Sequence, residues 1–331
     1  IYKPVVFRTL LMAVLNAVIG VIAVLITEEK GYARIISCVA VNLGFGTALY
    51  IYNARRGKSL YKQEYAEFAI KFNLPLLLHY FSQYVLDKSD RIMVQKLVSM
   101  AAAGIYSVAY NIGLLLRIIT TSINNAMTPW QYECLEKKEH KKLDDTMFMV
   151  FIFVAGCCFV LSSFAPEIMK ILADEKYYEG VYVIPPVSMG LFFSFMYTTF
   201  ANVEFYYDKN KFSMYISSAG ALLNLILNYF GIKMYGYIAA AYTTLICYIL
   251  FAAGHYIYMS QSVKKGEGIG LVFNTKRLAL LSLGVVAFGI VIIFFYENIV
   301  VRYSIIVGIC VIVFILRKRI IPALLVVKKH K

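Results

Sequence analysis

Residues 101–128 read AAAGIYSVAYNIGLLLRIITTSINNAMT and carry a single charge, Arg117. A membrane-spanning helix needs about 20 mostly apolar residues, because each residue advances about 1.5 Å through a hydrocarbon core roughly 30 Å thick. The stretch exceeds that length, so it predicts a helix that crosses a membrane.

Further stretches on both sides pass the same test. They lie at 4–26, 32–52, 65–86, 146–165, 181–204, 211–230, 235–259, 277–296 and 301–316. Lys71, Pro75 and His79 interrupt the stretch at 65–86, and the last stretch is short. The sequence therefore predicts an all-α polytopic membrane protein with about ten transmembrane helices.

The composition agrees with this fold class. Hydrophobic residues make up 60% of the 331 residues and charged residues 16%, against about 45–50% and about 25% in soluble domains. The mean hydropathy is +0.69. A soluble globular protein could not bury that much apolar surface, so this class is excluded.

The net charge of +14 could indicate a nucleic-acid partner or a membrane topology signal. The connections between predicted spans alternate in charge, and the basic ones are the start of the chain, 53–64, 129–145, 205–210, 260–276 and the tail. Because cytoplasmic loops are enriched in Lys and Arg, both ends of the chain are predicted to be cytoplasmic. Little basic charge remains for nucleic acid, so no such partner is expected.

Motifs for catalysis are not found. The sequence has no CxxC pair, HExxH or GxxxxGK[ST], and its four histidines lack metal-ligand spacing. The six cysteines are interpreted as free packing thiols. We therefore predict neither an enzyme nor a cofactor or metal site.

The chain opens with Ile1 directly before a predicted span, and we expect an N-terminal truncation.

Three cations lie inside predicted spans. Arg117 lies about 3 Å in depth from the middle of its helix, Lys71 about 7 Å and Arg8 about 10 Å, at about 1.5 Å per residue. A charge at that depth usually faces a polar interior or has a partner, although a long side chain can also reach the membrane surface. The candidate cavity cations are thus Arg117, Lys71 and Arg8. For Arg8, a side chain that reaches the membrane surface is the better explanation.

Helical spacing places polar residues beside two of these cations. Tyr106, Tyr110, Arg117 and Asn124 share one face of their helix, and His79 shares a face with Lys71. We predict that Tyr106, Tyr110, Asn124 and His79 line a cavity, and for His79 a hydrogen bond between helices is favoured over a proton relay. No Asp lies well inside a predicted span. The pattern favours an anionic cargo such as a phosphate, which arginine can bind with two parallel hydrogen bonds.

A family resemblance rests on two short runs. Ser89-Asp90-Arg91-Ile92-Met93 is followed by Gly104-Ile105-Tyr106-Ser107-Val108-Ala109-Tyr110, with Pro129 predicted to close the helix. They resemble the seventh-to-eighth helix region of bacterial polysaccharide-repeat-unit flippases. These Wzx-like proteins belong to the multidrug/oligosaccharidyl-lipid/polysaccharide exporter superfamily.

The resemblance implies a two-lobed MATE-like flippase fold around a central cavity. It makes residues 1–52 the last two helices of the N-terminal lobe and 53–64 a cytoplasmic linker between lobes. Residues 65–259 would be the C-terminal six-helix lobe, and 260–331 a cytoplasmic loop, two extra helices and a basic tail. By the same count, the resemblance implies that about four N-terminal helices of the family pattern are lacking here.

The function implied by the resemblance is export of undecaprenyl-diphosphate-linked oligosaccharide repeat units across the bacterial inner membrane. Membrane lipids, a polysaccharide polymerase and a chain-length regulator are the implied partners. The resemblance supports Arg117 and Lys71 as cavity cations. It gives Asp90 and Arg91 a structural or gating role at the outer mouth.

Two alternatives remain at the level of sequence. A multidrug or metabolite antiporter of the same fold is disfavoured by the lack of buried carboxylates among the predicted spans. A membrane polysaccharide polymerase or acyltransferase would be equally hydrophobic and basic. Such enzymes generally have a sizeable outer loop or paired catalytic residues, and neither is visible.

Overall fold

The computed structural model describes residues 2–57, 62–207, 211–267 and 271–325. In this part of the chain the structure is helical with no strand, which confirms the all-α prediction. The α-helices are α1 (Tyr2–Ile26), α2 (Lys30–Gly57), α3 (Gln63–Leu97), α4 (Met100–Gly113), α5 (Leu115–Glu136), α6 (His140–Ser163), α7 (Ala165–Leu172), α8 (Ile184–Tyr206), α9 (Lys211–Tyr235), α10 (Ala239–Glu267), α11 (Thr275–Val291) and α12 (Ile299–Leu325). Short 3-10 helices cover Glu175–Val183 and Ile292–Phe295.

Eight helical segments of the described residues are long and apolar enough to cross a membrane. They are Phe7–Ile26, Lys30–Gly57, Met100–Glu136, His140–Ser163, Glu175–Tyr206, Ala239–Lys264, Thr275–Phe295 and Ile299–Ala323. The two other predicted spans, 65–86 and 211–230, coincide with α3 and α9, where several side chains lie outside those described. The chain is a multi-pass membrane protein.

The chain divides into two compact units, residues 1–73 and 74–331. In the first unit α1 packs along α2. Arg34 Nη1 donates to the carbonyl oxygen of Asn16 at 2.8 Å. The arginine lies over Gly20, where a Cβ would stand 1.9 Å from the same Nη1. Gly20 therefore gives the guanidinium the room to reach the backbone of α1.

In the second unit α8 is the central helix. Of its 23 residues 18 are buried, and it packs against α4, α5, α6, α10 and α11. One apolar core surrounds Phe151, Phe192 and Phe200, and another surrounds Tyr106 and Ile184. The terminal helices α11 and α12 lie against α6 and expose much of their apolar surface. This distribution fits helices whose outer faces meet lipid.

The apolar stretch 101–128 does not form one continuous helix. It divides into α4 and α5 at Leu114, where the amide of Arg117 donates to the Leu114 carbonyl, three residues back, at 2.9 Å. Pro129 was predicted to close the helix, and this prediction is wrong because α5 continues through Pro129 to Glu136. Hydropathy reports the length of an apolar stretch but not the backbone geometry at one residue, so neither feature was predicted.

The region around the first run of the resemblance was predicted as a connection because it is rich in charge. That expectation is wrong, since α3 continues to Leu97. The segment 84–97 contains neither Gly nor Pro, so nothing in it ends a helix. The chain turns only at Ser99, whose hydroxyl accepts a hydrogen bond from the amide of Ala102 at 3.0 Å and caps α4. Asp90 and Arg91 therefore lie on a helix.

Candidate functional site

Asp90 and Arg91 connect the end of α3 to α4. The Tyr106 hydroxyl donates to Asp90 Oδ2 at 2.6 Å, and both side chains are fully buried. The Arg91 amide donates to Asp90 Oδ1 at 2.8 Å. The Arg91 guanidinium stacks 4.6 Å from the ring centre of Tyr110 and donates to Asn111 Oδ1 at 3.0 Å. The structure thus brings four of the predicted site residues, Asp90, Arg91, Tyr106 and Tyr110, into one cluster.

A second buried network begins beside this cluster and was missed at the level of sequence. Ser89 Oγ donates to Asn224 Oδ1 at 3.3 Å, and Asn224 Nδ2 donates to Thr244 Oγ1 at 3.0 Å. Asn228 Nδ2 donates to Asn224 Oδ1 at 3.0 Å, and Asn228 Oδ1 accepts from the Thr243 hydroxyl. The asparagines are fully buried. The network joins α3, α9 and α10 through polar side chains that have no charge of their own.

Arg117 lies in the first turn of α5, just after the break at Leu114, and is half-buried. The residues that precede it on the predicted polar face, Tyr106 and Tyr110, are buried in the core. Those that follow are half-buried or exposed. The polar face therefore divides at the break, and Arg117 marks the point where α5 begins to expose its polar side.

Below Arg117 a polar seam joins α5 to α8. Asn202 Nδ2 donates to Asn124 Oδ1 and to Thr128 Oγ1, both at 3.1 Å. The Gln131 side chain is fully buried next to this seam. Asn124, predicted to line a cavity, is half-buried and is held by Asn202. Asn202 was not predicted as a site residue because its neighbours in sequence are mostly apolar.

Glu204 and His255 form a buried acid–histidine pair between α8 and α10. The two Glu204 oxygens lie 3.0 and 3.2 Å from His255 Nδ1, and the side chains are 0% and 3% exposed. The Tyr197 ring stacks on the imidazole at 5.4 Å. Buried carboxylates are thus present at Asp90 and Glu204, and the sequence-based expectation of none in the helices is wrong. The expectation failed because both residues were assigned to span ends or connections.

The remaining predicted residues cannot be joined to these clusters. Arg8 is half-buried and belongs to the unit of residues 1–73. Lys71 and His79 lie on α3, but their side chains are outside the described part of the structure. Their roles as a cavity cation and a cavity-lining histidine stay predictions.

Two family models match the chain. One, described as MatE, matches residues 75–230, and the other, described as Polysaccharide biosynthesis protein, matches residues 3–134. Together they span residues 3–230, which include the Asp90–Tyr106 cluster, Arg117 and Glu204 but not His255.

A curated relative and a solved structure are also similar. "Lsg locus putative protein 1" of Haemophilus influenzae is 24% identical over 161 residues, which are 48% of this chain and 39% of the relative. The match therefore covers less than two thirds of that relative's length. The structure titled "Lipid II flippase MurJ, inward closed conformation" has a TM-score of 0.59 at 16% identity.

The structural match covers 92% of this chain and 67% of the other. At that identity the likeness concerns the fold, and it extends over most of the chain rather than over one helix pair. The family models and the curated relative add the sequence evidence. The two family models, the curated relative and the shared fold together support the resemblance to the multidrug/oligosaccharidyl-lipid/polysaccharide exporter superfamily.

Proposed function

We propose that this protein is a flippase that moves an oligosaccharide linked to a lipid diphosphate across the bacterial inner membrane. The observation that carries the proposal is the fold shared with a lipid II flippase over 92% of the chain. The Polysaccharide biosynthesis protein model, which matches residues 3–134, adds support from sequence.

Arg117 is the residue that we assign to the diphosphate. It is half-buried in the first turn of α5 and is the only charged residue from Met100 to Tyr132. Guanidinium groups bind phosphate oxygens in pairs. The positive end of the α5 dipole lies at the same turn and favours an anion there. The two effects act together on a negatively charged headgroup.

In this proposal residues 65–259 form the C-terminal six-helix lobe and residues 1–52 contribute to the other lobe. The two lobes rock about a bound headgroup so that the cavity opens to each side in turn. Lys71 and Arg8 are further candidate cations for the same diphosphate. Asp90 and Arg91 hold α3 to α4 at one end of the lobe, where their role is structural or gating.

Replacement of Arg117 by Ala in cells tests the assignment. We expect Arg117→Ala to abolish surface polysaccharide with membrane abundance unchanged, because the cavity loses its deepest cation. Arg117→Lys should retain part of the export, since it keeps the charge but not the paired hydrogen bonds. Lys138→Ala, in the turn after α5, is the matched control and should export normally. Normal export by Arg117→Ala would exclude the assigned role.

A deletion strain tests the flippase itself. We expect lipid-linked single repeat units to accumulate on the inner leaflet, because synthesis continues while translocation stops. Accumulation on the outer leaflet would instead favour a polymerase and would contradict the proposal.

A drug or metabolite antiporter of the same fold is the second candidate. The buried carboxylates Asp90 and Glu204 favour it, since antiport of organic cations or protons generally uses a buried acid. The MatE family model, which covers both residues, is consistent with this function. Measurement of drug resistance in cells with and without the protein separates the two candidates. Resistance that depends on Glu204, with normal surface polysaccharide in the deletion strain, would favour the antiporter.

A further inference from the structure

A cavity of about 560 Å³ lies where α7, the 3-10 helix Glu175–Val183 and the beginning of α12 meet. It is separate from Arg117 and from the polar seam between α5 and α8. We call it the tyrosyl pocket and define it by Lys170, Tyr178, Tyr182, Tyr296, Glu297 and Arg302. Its volume lies within the range of about 300–1,000 Å³ that is usual for small-molecule sites.

One wall of the tyrosyl pocket is a pair of stacked tyrosines. The ring centres of Tyr182 and Tyr296 are 5.8 Å apart with an angle of 28° between the ring planes. The Tyr296 hydroxyl donates to the carbonyl oxygen of Ser162 at 3.0 Å, which fixes that ring in the lobe. Tyr182 is 37% exposed. The wall therefore presents a rigid aromatic face to any molecule that enters.

Arg302 supplies an anchored donor at the base of the pocket. The residue is 4% exposed, and its Nη1 donates to the carbonyl oxygen of Ser163 at 3.0 Å and to Glu167 Oε2 at 2.6 Å. Its Nε is buried and has no hydrogen-bond partner. Buried donors are rarely left without a partner unless a water or a ligand satisfies them. The unsatisfied Nε marks Arg302 as a donor whose hydrogen bonds within the protein are incomplete.

The charges around the tyrosyl pocket balance. Lys170 and Arg302 are opposed by Glu297 on the pocket wall and by Glu167, which is bound to Arg302. A phosphate or an anionic lipid headgroup would be favoured by a net positive site. A sugar hydroxyl both donates and accepts hydrogen bonds, so it can use a carboxylate and a cation at the same site. The balanced lining next to an aromatic wall favours a sugar.

We propose that the tyrosyl pocket binds a carbohydrate. The C–H face of the sugar ring lies against Tyr182 and Tyr296, and its hydroxyls lie among Arg302, Lys170 and Glu297. That the occupant in the cell is the glycan of the transported lipid rests on the flippase function proposed above. The pocket would then hold the glycan outside the diphosphate site, at the seam between the lobe and the terminal helices.

Saturation-transfer NMR on the purified full chain tests this binding. The detergent is lauryldimethylamine oxide, because the sugar headgroup of a maltoside would compete. The probes are galactose, N-acetylglucosamine and glucuronic acid, with glycerol 3-phosphate as the lipid-headgroup probe. We expect transfer to the ring protons of at least one sugar at millimolar concentration and none to glycerol 3-phosphate.

Variants locate the signal. Tyr182→Ala should reduce sugar affinity at least fivefold, whereas Tyr182→Phe should retain it, because the ring rather than the hydroxyl makes the wall. Lys170→Ala should also weaken binding. Lys176→Ala, on the neighbouring 3-10 helix but not on the pocket wall, is the matched control. Lys170 and Lys176 are both exposed, so a general loss of folding would not explain a difference between them.

The proposal is overturned if no sugar receives saturation, if glycerol 3-phosphate binds in place of the sugars, or if Tyr182→Ala and Lys170→Ala bind sugar as well as Lys176→Ala does. The flippase function is tested separately. The purified protein could bind sugar through Tyr182 while deletion of the gene leaves translocation unchanged. That result would support the carbohydrate pocket and overturn the proposed flippase function.

Discussion

Tyr106 and Asp90 are 16 positions apart in the sequence, and their 2.6 Å hydrogen bond joins α4 to α3 in a buried environment. We expect Tyr106→Phe to lower the free energy of unfolding by about 1.5–3 kcal/mol, because a buried carboxyl group loses a donor. Thermal unfolding in detergent measures the change. Tyr235→Phe, on a side chain that is 75% exposed, is the control and should shift the midpoint little. Equal shifts in the two variants would show that the bond contributes nothing.

Glu167 lies on α7, outside the candidate spans, and makes a pH-dependent contribution to the stability of the folded protein. Partial burial raises the pKa of Glu167, but the hydrogen bond and the charge of Arg302 together lower it by more. The pKa therefore lies below the ordinary value of 4.5. A lowered pKa means that the stabilisation is complete above the ordinary value and is lost as the pH falls through the lowered one. At pH 7 we expect Glu167→Gln to unfold at a lower temperature than the unmodified protein. The difference between the two thermal midpoints should shrink below pH 4.5. A gap that stays constant down to pH 3 would contradict this.

Two pairs of residues, Asp90 with Arg91 and Glu204 with His255, show what the sequence could predict about single residues. Asp90 and Arg91 were identified by a local run, but the burial of Asp90 was not predicted, because a charged segment was assigned to a connection. Glu204 and His255 are 51 residues apart. No local spacing relates two such residues, and only the packing of α8 on α10 reveals the pair.

Among elements, the contact of α4 with α8 depends on Gly113. A Cβ at this position would stand 2.6 Å from Val187 Cγ1 and 2.9 Å from Val187 Cβ. We expect Gly113→Ala to lower the free energy of unfolding by about 1–3 kcal/mol, which is typical when extra atoms are forced into a well-packed core. At Gly104 in the same helix the nearest atom, Tyr177 Cε1, is 4.0 Å away. Gly104→Ala should therefore be neutral or gain up to about 1 kcal/mol in helix propensity. Similar thermal midpoints for the two variants would contradict the packing argument.

The spans were predictable because hydropathy depends only on length and composition. The break at Leu114 and the continuation of α5 through Pro129 were not, because they depend on hydrogen bonds and on neighbouring helices. Arg117 was identified by its depth in one continuous span. The structure instead places it at the start of a helix, a position that no periodicity in the sequence specifies.

For the whole molecule, the orientation in the membrane remains a prediction of the charge distribution. Lys138 lies in a basic connection and Lys176 in an acidic one on the opposite side. In a background without the six native cysteines, we expect Lys138→Cys to react with a membrane-impermeant maleimide only after the cells are opened. Lys176→Cys should react in intact cells. Both positions are exposed. The reverse pattern would invert the assigned orientation.

The Glu204–His255 pair constrains how the protein is made. When Glu204 leaves the ribosome, its carboxyl group has no histidine to meet, because His255 follows 51 residues later. At about 5–20 residues per second, that delay is roughly 3–10 s. During this interval the acid of α8 has no histidine partner, and an unpaired acid is unfavourable in lipid. The pair therefore favours release of α8 from the insertion machinery together with α10, so that the second half of the lobe is inserted as a group of helices.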